Sequence, residues 1–146
     1  MNASQFKMSI EEAREKIKAS KLRCTSSRVA VLQYVAEAAA PVSHSEVADA
    51  LVPTGFDKST IYRCLVELAD ASILNRLDAG DHAWRFELRD KHHEAHEIHP
   101  HFMCLDCGKV TCLPDVEIKV ASNKSTKTVV GEITEIYLKG HCKDCK

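Results

Sequence analysis

The feature that most constrains this chain is a pair of cysteine pairs. Cys104-Leu-Asp-Cys107 is followed directly by Gly108, and Cys142-Lys-Asp-Cys145 lies almost at the end of the sequence. Two thiolates two residues apart reach one metal ion when a tight turn carries both sulfurs to the same side. Gly108 permits a backbone conformation that a side chain would obstruct. Two such knuckles supply four sulfurs, the tetrahedral set of a closed structural zinc site. The 34 residues between the pairs exceed the spacer of a short zinc ribbon and leave room for strands or a helix. The competing reading is two disulfides or four idle thiols. An odd total of seven Cys, and a polar, charged opening from Met1 to Lys21 with no signal-peptide character, point instead to a reducing cytoplasm and metal ligation.

Five of the eight histidines crowd in just ahead of the first knuckle: His92, His93, His96, His99 and His101. Residues 89–98 are charged and lack an apolar period. They read as a hinge, with domains at 1–89 and 99–146 and the hinge itself at 90–98. His92, His93 and His96 are either a possible extra metal site or a polar linker. The run from His99 to Cys104 is expected to be extended, because a residue before proline avoids the helical region. On a strand His99 and His101 share a side. Val110 to Leu113 forms a second strand across the knuckle and brings Cys112 near that pair. His99, His101 and Cys112 are therefore candidates for a second metal site; the alternative is surface histidines beside a buried free thiol. Beyond Val116 the pattern favours strands over residues 116–120 and 132–138, with a loop at 123–127.

The first 89 residues read differently. Ser9, with Glu11 and Glu12 behind it, starts a helix with acids where the dipole favours them. Ile10, Ala13, Ile17 and Leu22 give it a thin apolar stripe. Thr25 or Ser26 caps a second helix whose buried face is Val29, Val31, Leu32, Val35 and Ala36. Ser43 caps a third, with Glu46 completing a capping box and Val47, Ala50 and Leu51 inward. Pro53-Thr-Gly55 breaks it. Asp57 or Ser59 caps a fourth helix, in which Ile61, Leu65 and Leu68 face the core. Its first turn turns Lys58, Ser59, Thr60, Tyr62 and Arg63 to other faces. Residues 73–77 and 84–88 are short alternating runs around Asp78-Ala-Gly-Asp81, a hairpin. Helices followed by such a wing, the last helix bearing a polar, Arg-containing N-terminal turn, make a winged helix-turn-helix reader of DNA. The whole chain is thus α+β, with a winged helix ahead of a small α/β metal-binding domain.

Charge qualifies this. The net charge of −1 over 146 residues is unlike a simple nucleic-acid binder. Yet residues 1–28 carry Lys7, Arg14, Lys16, Lys18, Lys21, Arg23 and Arg28 against Glu11, Glu12 and Glu15. The basic residues are concentrated where the helices begin. No apolar run approaches a membrane span.

Taken together, Arg23-Cys-Thr-Ser-Ser-Arg28, SerThrIleTyrArg at 59–63, PheGluLeu at 86–88, the stretch 99–108 and GlyHisCysLysAspCys at 140–145 resemble the ferric uptake regulator family of metal-dependent repressors, over nearly the whole length. The resemblance implies a homodimer, joined through the C-terminal domain, on an inverted-repeat operator in double-stranded DNA. It implies Tyr62 and Arg63 as DNA contacts, with Arg23, Arg28, Lys58, Ser59 and Thr60 around them. It implies Cys104, Cys107, Cys142 and Cys145 as structural zinc ligands, and Glu87, His99 and His101 as a regulatory site at the hinge. The chain departs from the family pattern in five places, one of them a hinge with extra residues that include His92, His93 and His96. Cys112 stands where a carboxylate is usual, and His44 is the histidine closest to Pro41, where the family usually has one. Ser27 replaces a Gln that often precedes Arg28. Residues 120–127 are a poor helix where many members have one, which implies a slimmer dimer interface.

A thiolate with imidazoles suits zinc better than iron(II) or manganese, so the expected signal is zinc, with iron, manganese or peroxide as alternatives. The open position that His99, His101 and Cys112 would leave keeps a catalytic zinc enzyme in view, though no catalytic motif accompanies it. A zinc-ribbon adaptor for another protein is the third class.

Overall fold

The computed structural model describes residues 8–78, 80, 83–89, 100–113, 115–119, 131, 133 and 135–145. The chain divides into two compact units, Met1–His92 and His93–Lys146.

The first unit begins with α1 (Ile10–Ala19), whose cap Ser9 accepts from the Glu12 amide while Glu12 reaches back to the Ser9 amide. That reciprocal pair satisfies two of the donors a helix start leaves open. Ala13 and Ile17 are fully buried, but Ile10 is 48% exposed and is not part of the stripe. Helix α2 (Ser26–Glu37) is capped by Thr25 and buries the five residues expected of it. Helix α3 (His44–Leu51) has the Ser43–Glu46 capping box. Its inward residues are Val47 and Ala48; Ala50 is exposed, because an eight-residue helix has one buried flank and Ala48 lies on it. A 3-10 turn, Val52–Thr54, ends at Gly55 with φ 113°, a left-handed stop that favours glycine. Helix α4 (Lys58–Asp70) is capped by Asp57, not Ser59, and buries Ile61, Cys64, Leu65 and Leu68.

A small antiparallel sheet completes this unit, with order β1-β3-β2. Strands β2 (Leu74–Asp78) and β3 (Trp84–Leu88) form the wing. Strand β1 (Val42–Ser43) adds a third member that no local pattern announced, pairing Val42 with Phe86 and Ser43 with Arg85. Central β3 is therefore buried from Arg85 to Leu88, without the solvent-facing alternation expected of a two-stranded wing. Phe86, Leu88 and Leu74 join the helical core. Arg85 and Glu87 point to the other face and are buried there, at 7% exposure each.

The second unit is built on β4 (His101–Cys104), β5 (Val110–Cys112) and β6 (Tyr137–Gly140), in the order β5-β4-β6. β4 runs antiparallel to β5 and parallel to β6. Residues 116–119 were expected to open a strand and carry none. They read as β by composition, but propensity without a pairing partner makes no strand. The strand expected over 132–138 is confined to Tyr137–Gly140. The loop at 123–127 and the weak helical stretch at 120–127 lie outside the described residues, as does the whole hinge at 90–98.

Candidate metal centre and nucleic-acid interface

The four paired cysteines come together. Cys104 ends β4 and Cys107 follows in a tight turn, closed by the Gly108 amide donating to the Cys104 carbonyl at 2.9 Å. Gly108 has φ 72°, so the left-handed residue that the knuckle requires is the glycine the sequence supplies. Cys142 and Cys145 form a second turn, closed by the Cys145 amide on the Cys142 carbonyl at 3.2 Å. The parallel pairing of β4 with β6 sets Cys104 beside Gly140, and this brings the second knuckle over the first.

The four sulfurs lie within 4.8 Å of one another. Zinc–sulfur bonds of about 2.3 Å place tetrahedral sulfurs about 3.8 Å apart, so the set fits zinc with small movements. Cys107 and Cys145, the second residue of each turn, are exposed and can make them. Backbone amides of Cys107 and Cys142 donate to the Cys104 sulfur and hold its thiol down to about 6. The Cys142 amide sits 3.4 Å from that sulfur. Hydrogen bonds that the Cys145 thiol donates to the Cys142 and Cys107 sulfurs push it up to about 12. Neighbouring thiolates repel, so a proton shared in the cluster stays until a cation displaces it. Asp106 and His141, one from each knuckle, meet at 2.6 Å and tie the turns together.

Next to this cluster, β4 and β5 place His101 directly opposite Cys112. Opposite residues on paired strands share a face, so imidazole and thiol project side by side. Tyr137 flanks His101 on β6, ring centroids 5.8 Å apart. His101 is 8% exposed and Cys112 half-buried. An imidazole and a thiol together are a borderline-soft donor pair that suits zinc. Glu87 belongs to the first unit and is buried on the wing sheet. His92, His93, His96 and His99 lie outside the described residues. His44 is directed toward the helix that follows it: its Nε2 donates to the Lys58 carbonyl at 3.0 Å, and its ring meets Tyr62 edge-on at 5.3 Å.

In the first unit, the start of α4 is shaped by Asp57. Its carboxylate accepts the hydroxyls of Ser59 and Thr60, at 2.5 and 2.6 Å, and the Thr60 amide at 3.2 Å. The hydroxyls of Ser59 and Thr60 are thus committed as donors to the cap. A charged cap also occupies the end of the helix that would otherwise draw a phosphate. What remains outward is Lys58, the half-exposed Tyr62 phenol and the Arg63 guanidinium. Arg28 is committed internally. It binds Glu67 through Nε and Nη2, at 3.1 and 2.7 Å, and the Arg23 carbonyl through Nη1 at 2.5 Å, pinning α2 to α4. Arg23, Arg28 and Arg63 line one open cleft of about 240 Å³, with Thr25, Ser27 and Thr60. Burial pushes the Cys64 thiol in its wall upward, so Cys64 behaves as a core residue and not a reactive one.

The Ser59 and Thr60 hydrogen bonds hold the Asp57 carboxyl at about 2, below its ordinary 3.8. A lowered folded-state value stabilises above the unfolded one and is lost as pH falls through the folded one. Capping of α4 by Asp57 is therefore expected to be complete above about pH 4 and to fade toward pH 2. A carbon-detected NMR titration of the Asp57 carboxyl checks this; an ordinary midpoint refutes it.

The fold and its donor groups define a class: a winged-helix unit with a basic, polar recognition turn, joined to a unit stapled by four thiols. Comparison with known proteins makes this specific. A profile of the ferric uptake regulator family matches residues 19–140. The ferric uptake regulation protein of Shigella flexneri is 31% identical over 140 residues, covering 89% of both chains. The peroxide-responsive repressor PerR of Staphylococcus epidermidis is 28% identical over 144 residues, covering 94% of this chain and 90% of that one. The crystal structure of the Vibrio cholerae ferric uptake regulator superposes with a TM-score of 0.65 at 26% identity, over 88% of this chain and 98% of the other. The chain belongs to the ferric uptake regulator family. It is a metal-responsive transcriptional regulator by family, and not an enzyme.

The sequence pointed to the four thiols of the cluster but not to the tie between its turns. His141 adjoins Cys142 and Asp106 sits within the first knuckle, and that adjacency was the available signal for their pairing. The commitment of Arg28 to Glu67 had no local signal, since the partners are 39 residues apart.

Proposed function

We propose that this protein is a cytoplasmic, zinc-responsive repressor of metal-homeostasis genes, acting as a homodimer on an inverted-repeat operator. The observation that carries the zinc reading is the cross-strand pair His101–Cys112. A thiol there, in place of the carboxylate usual to the family, shifts the donor set toward zinc. Glu87, His99, His101, Cys112 and His44 are the proposed ligands of the regulatory ion; the His44 Nε2 donates to the Lys58 carbonyl, which leaves Nδ1 as its donor atom. Cys104, Cys107, Cys142 and Cys145 are the proposed ligands of the structural zinc. A bound regulatory ion supplies a fixed charge whose ligands come from both units.

The protein's own groups do the rest. Ile61, Leu65 and Leu68 anchor α4 in the core, which holds its first turn rigid. His44 supports the Lys58 carbonyl and the edge of Tyr62, so the phenol keeps one orientation. Arg63 reaches a phosphate or a guanine edge, and Tyr62 a thymine methyl. Arg28, held by Glu67, acts by positioning α2 against α4. Ligand donors coming from two units bias the spacing of paired recognition helices only through differential affinity for the DNA-competent arrangement.

The relatives' names favour iron or peroxide as the signal, and the donor chemistry favours zinc. Gel shifts on DNA from the protein's own promoter region, with zinc, iron(II), manganese or chelator under reducing conditions, decide between them. Zinc is expected to promote the shift at the lowest concentration. His101→Ala is expected to lose the metal response while keeping four-thiol zinc and the fold. Arg63→Ala is expected to weaken binding at every metal concentration, by about 1–3 kcal/mol. A full metal response in His101→Ala rejects the site; an iron-selective response rejects the zinc assignment alone.

A further inference from the structure

We infer that the stack of Arg76 on Trp84, at the wing, is a second DNA-contacting element that grips the sugar–phosphate backbone beside the groove entered by α4. The inference rests on the DNA-binding reading above. Trp84 is the sole tryptophan of the chain, and it is 42% exposed at the start of β3. The Arg76 guanidinium carbon lies 4.5 Å from the centroid of its ring.

The register of the hairpin fixes where the stack points. Arg76 lies opposite Phe86, and Asp78 opposite Trp84. Residues opposite and alternate along paired strands share a face. Arg76 and Trp84 are thus on the face of Leu74, Phe86 and Leu88, which are buried against the helices. They project from the helical side of the sheet at the point where the helices no longer cover it. That is the side on which α4 lies. A large ring left in solvent beside a guanidinium has no role in this unit's core.

The chemistry selects the occupant. Stacking uses the face of a guanidinium, and its N–H donors lie in the edge, where they match a phosphate. The ring holds the side chain in one place and lowers the entropy cost of binding. The indole offers apolar surface for a deoxyribose. Among the described residues, the acid paired with Trp84 on this face is Asp78, whose Oδ1 accepts the Gly80 amide at 2.9 Å inside the turn. A cation ordered by an aromatic ring, on the face shared with the recognition helix, fits the polyanion that this helix is proposed to read.

The test uses the full-length, metal-loaded protein and an end-labelled duplex from its own promoter region. Label anisotropy and Trp84 emission are followed in one titration. Emission is expected to change in step with anisotropy. Arg76→Ala is expected to weaken binding by about fivefold to tenfold and to lower the slope of log affinity against log salt by about one. Trp84→Phe is expected to keep the stack and nearly all the affinity. Trp84→Ala should match Arg76→Ala, and the double variant should lose little more than either, because the two act as a unit. Both side chains are exposed, so unchanged circular dichroism is expected for every variant. Anisotropy that rises while emission stays constant, with Arg76→Ala within about twofold of wild type and an unchanged salt slope, overturns the wing contact and leaves the DNA reading standing. Anisotropy that never rises at any metal concentration overturns both.

Discussion

Cys142→Ser is expected to remove the structural zinc and unfold the strands of the second unit. The four-thiol cluster joins two turns that little else holds. β4 and β6 are four residues each, β5 is three, and the buried apolar side chains described in this unit are Met103, Cys104 and Val110. Among the described residues these side chains alone do not offset the ordering of the chain around them, at about 1–2 kcal/mol of backbone entropy per residue. A structural zinc contributes on the order of 10 kcal/mol and is binding and folding energy at once. Zinc content by mass spectrometry is expected to fall by one ion per chain. Amide exchange at His101 and Leu105, which donate to Ile136 and Gly140, is expected to rise toward the unprotected rate. Protection in α2 and α4 is expected to survive, since those helices rest on a core of their own. A Cys142→Ser protein that keeps β4 and β6 protected without zinc refutes the staple.

The contrast between the two units follows the kind of information each one needs. Helix starts are written over three residues. Ser9 with Glu12, Ser43 with Glu46, Thr25 with Arg28 and Asp57 with Thr60 are all local; Ser9 and Ser43 were readable outright, Thr25 and Asp57 each as one of two neighbouring candidates. The knuckles were readable too, because two cysteines and a following glycine fix their own turn. Pairing is not local. Strand β1 is two residues that become a strand by meeting Phe86 and Arg85, more than 40 positions away. Residues 116–119 show the converse, an alternating run that meets no strand among the described residues. Ala50 was misplaced because alanine marks a helix without marking its inward side, and Ala48 satisfies the same pattern. His101 and Cys112 were legible as candidate donors by residue type, and the register sets them opposite one another. That Arg28 spends its charge on Glu67 required the packing of α2 on α4.

Phe86→Ala is expected to destabilise the first unit by about 3–5 kcal/mol, the largest effect of any single truncation in its core. Phe86 is the largest of the fully buried side chains, at 1% exposure. It sits on the middle strand of the wing sheet, between Val42 and Arg76, and packs into the cluster that contains Leu32, Leu65 and Leu68. Its loss leaves a void between sheet and helices, and paired strands on both sides restrain collapse into it. The cost is a transfer loss plus a cavity loss, and a rigid site keeps most of the second. Phe86→Leu restores volume and should recover more than half of the difference. Thermal denaturation followed at the amides of α4 separates the first unit from the second. The wing depends on the same ring, so in Phe86→Ala the amides of β2 and β3 are expected to exchange faster than those of α2. A loss below about 1 kcal/mol, typical of an ordinary exposed position, would show that the wing and the helices do not share one core.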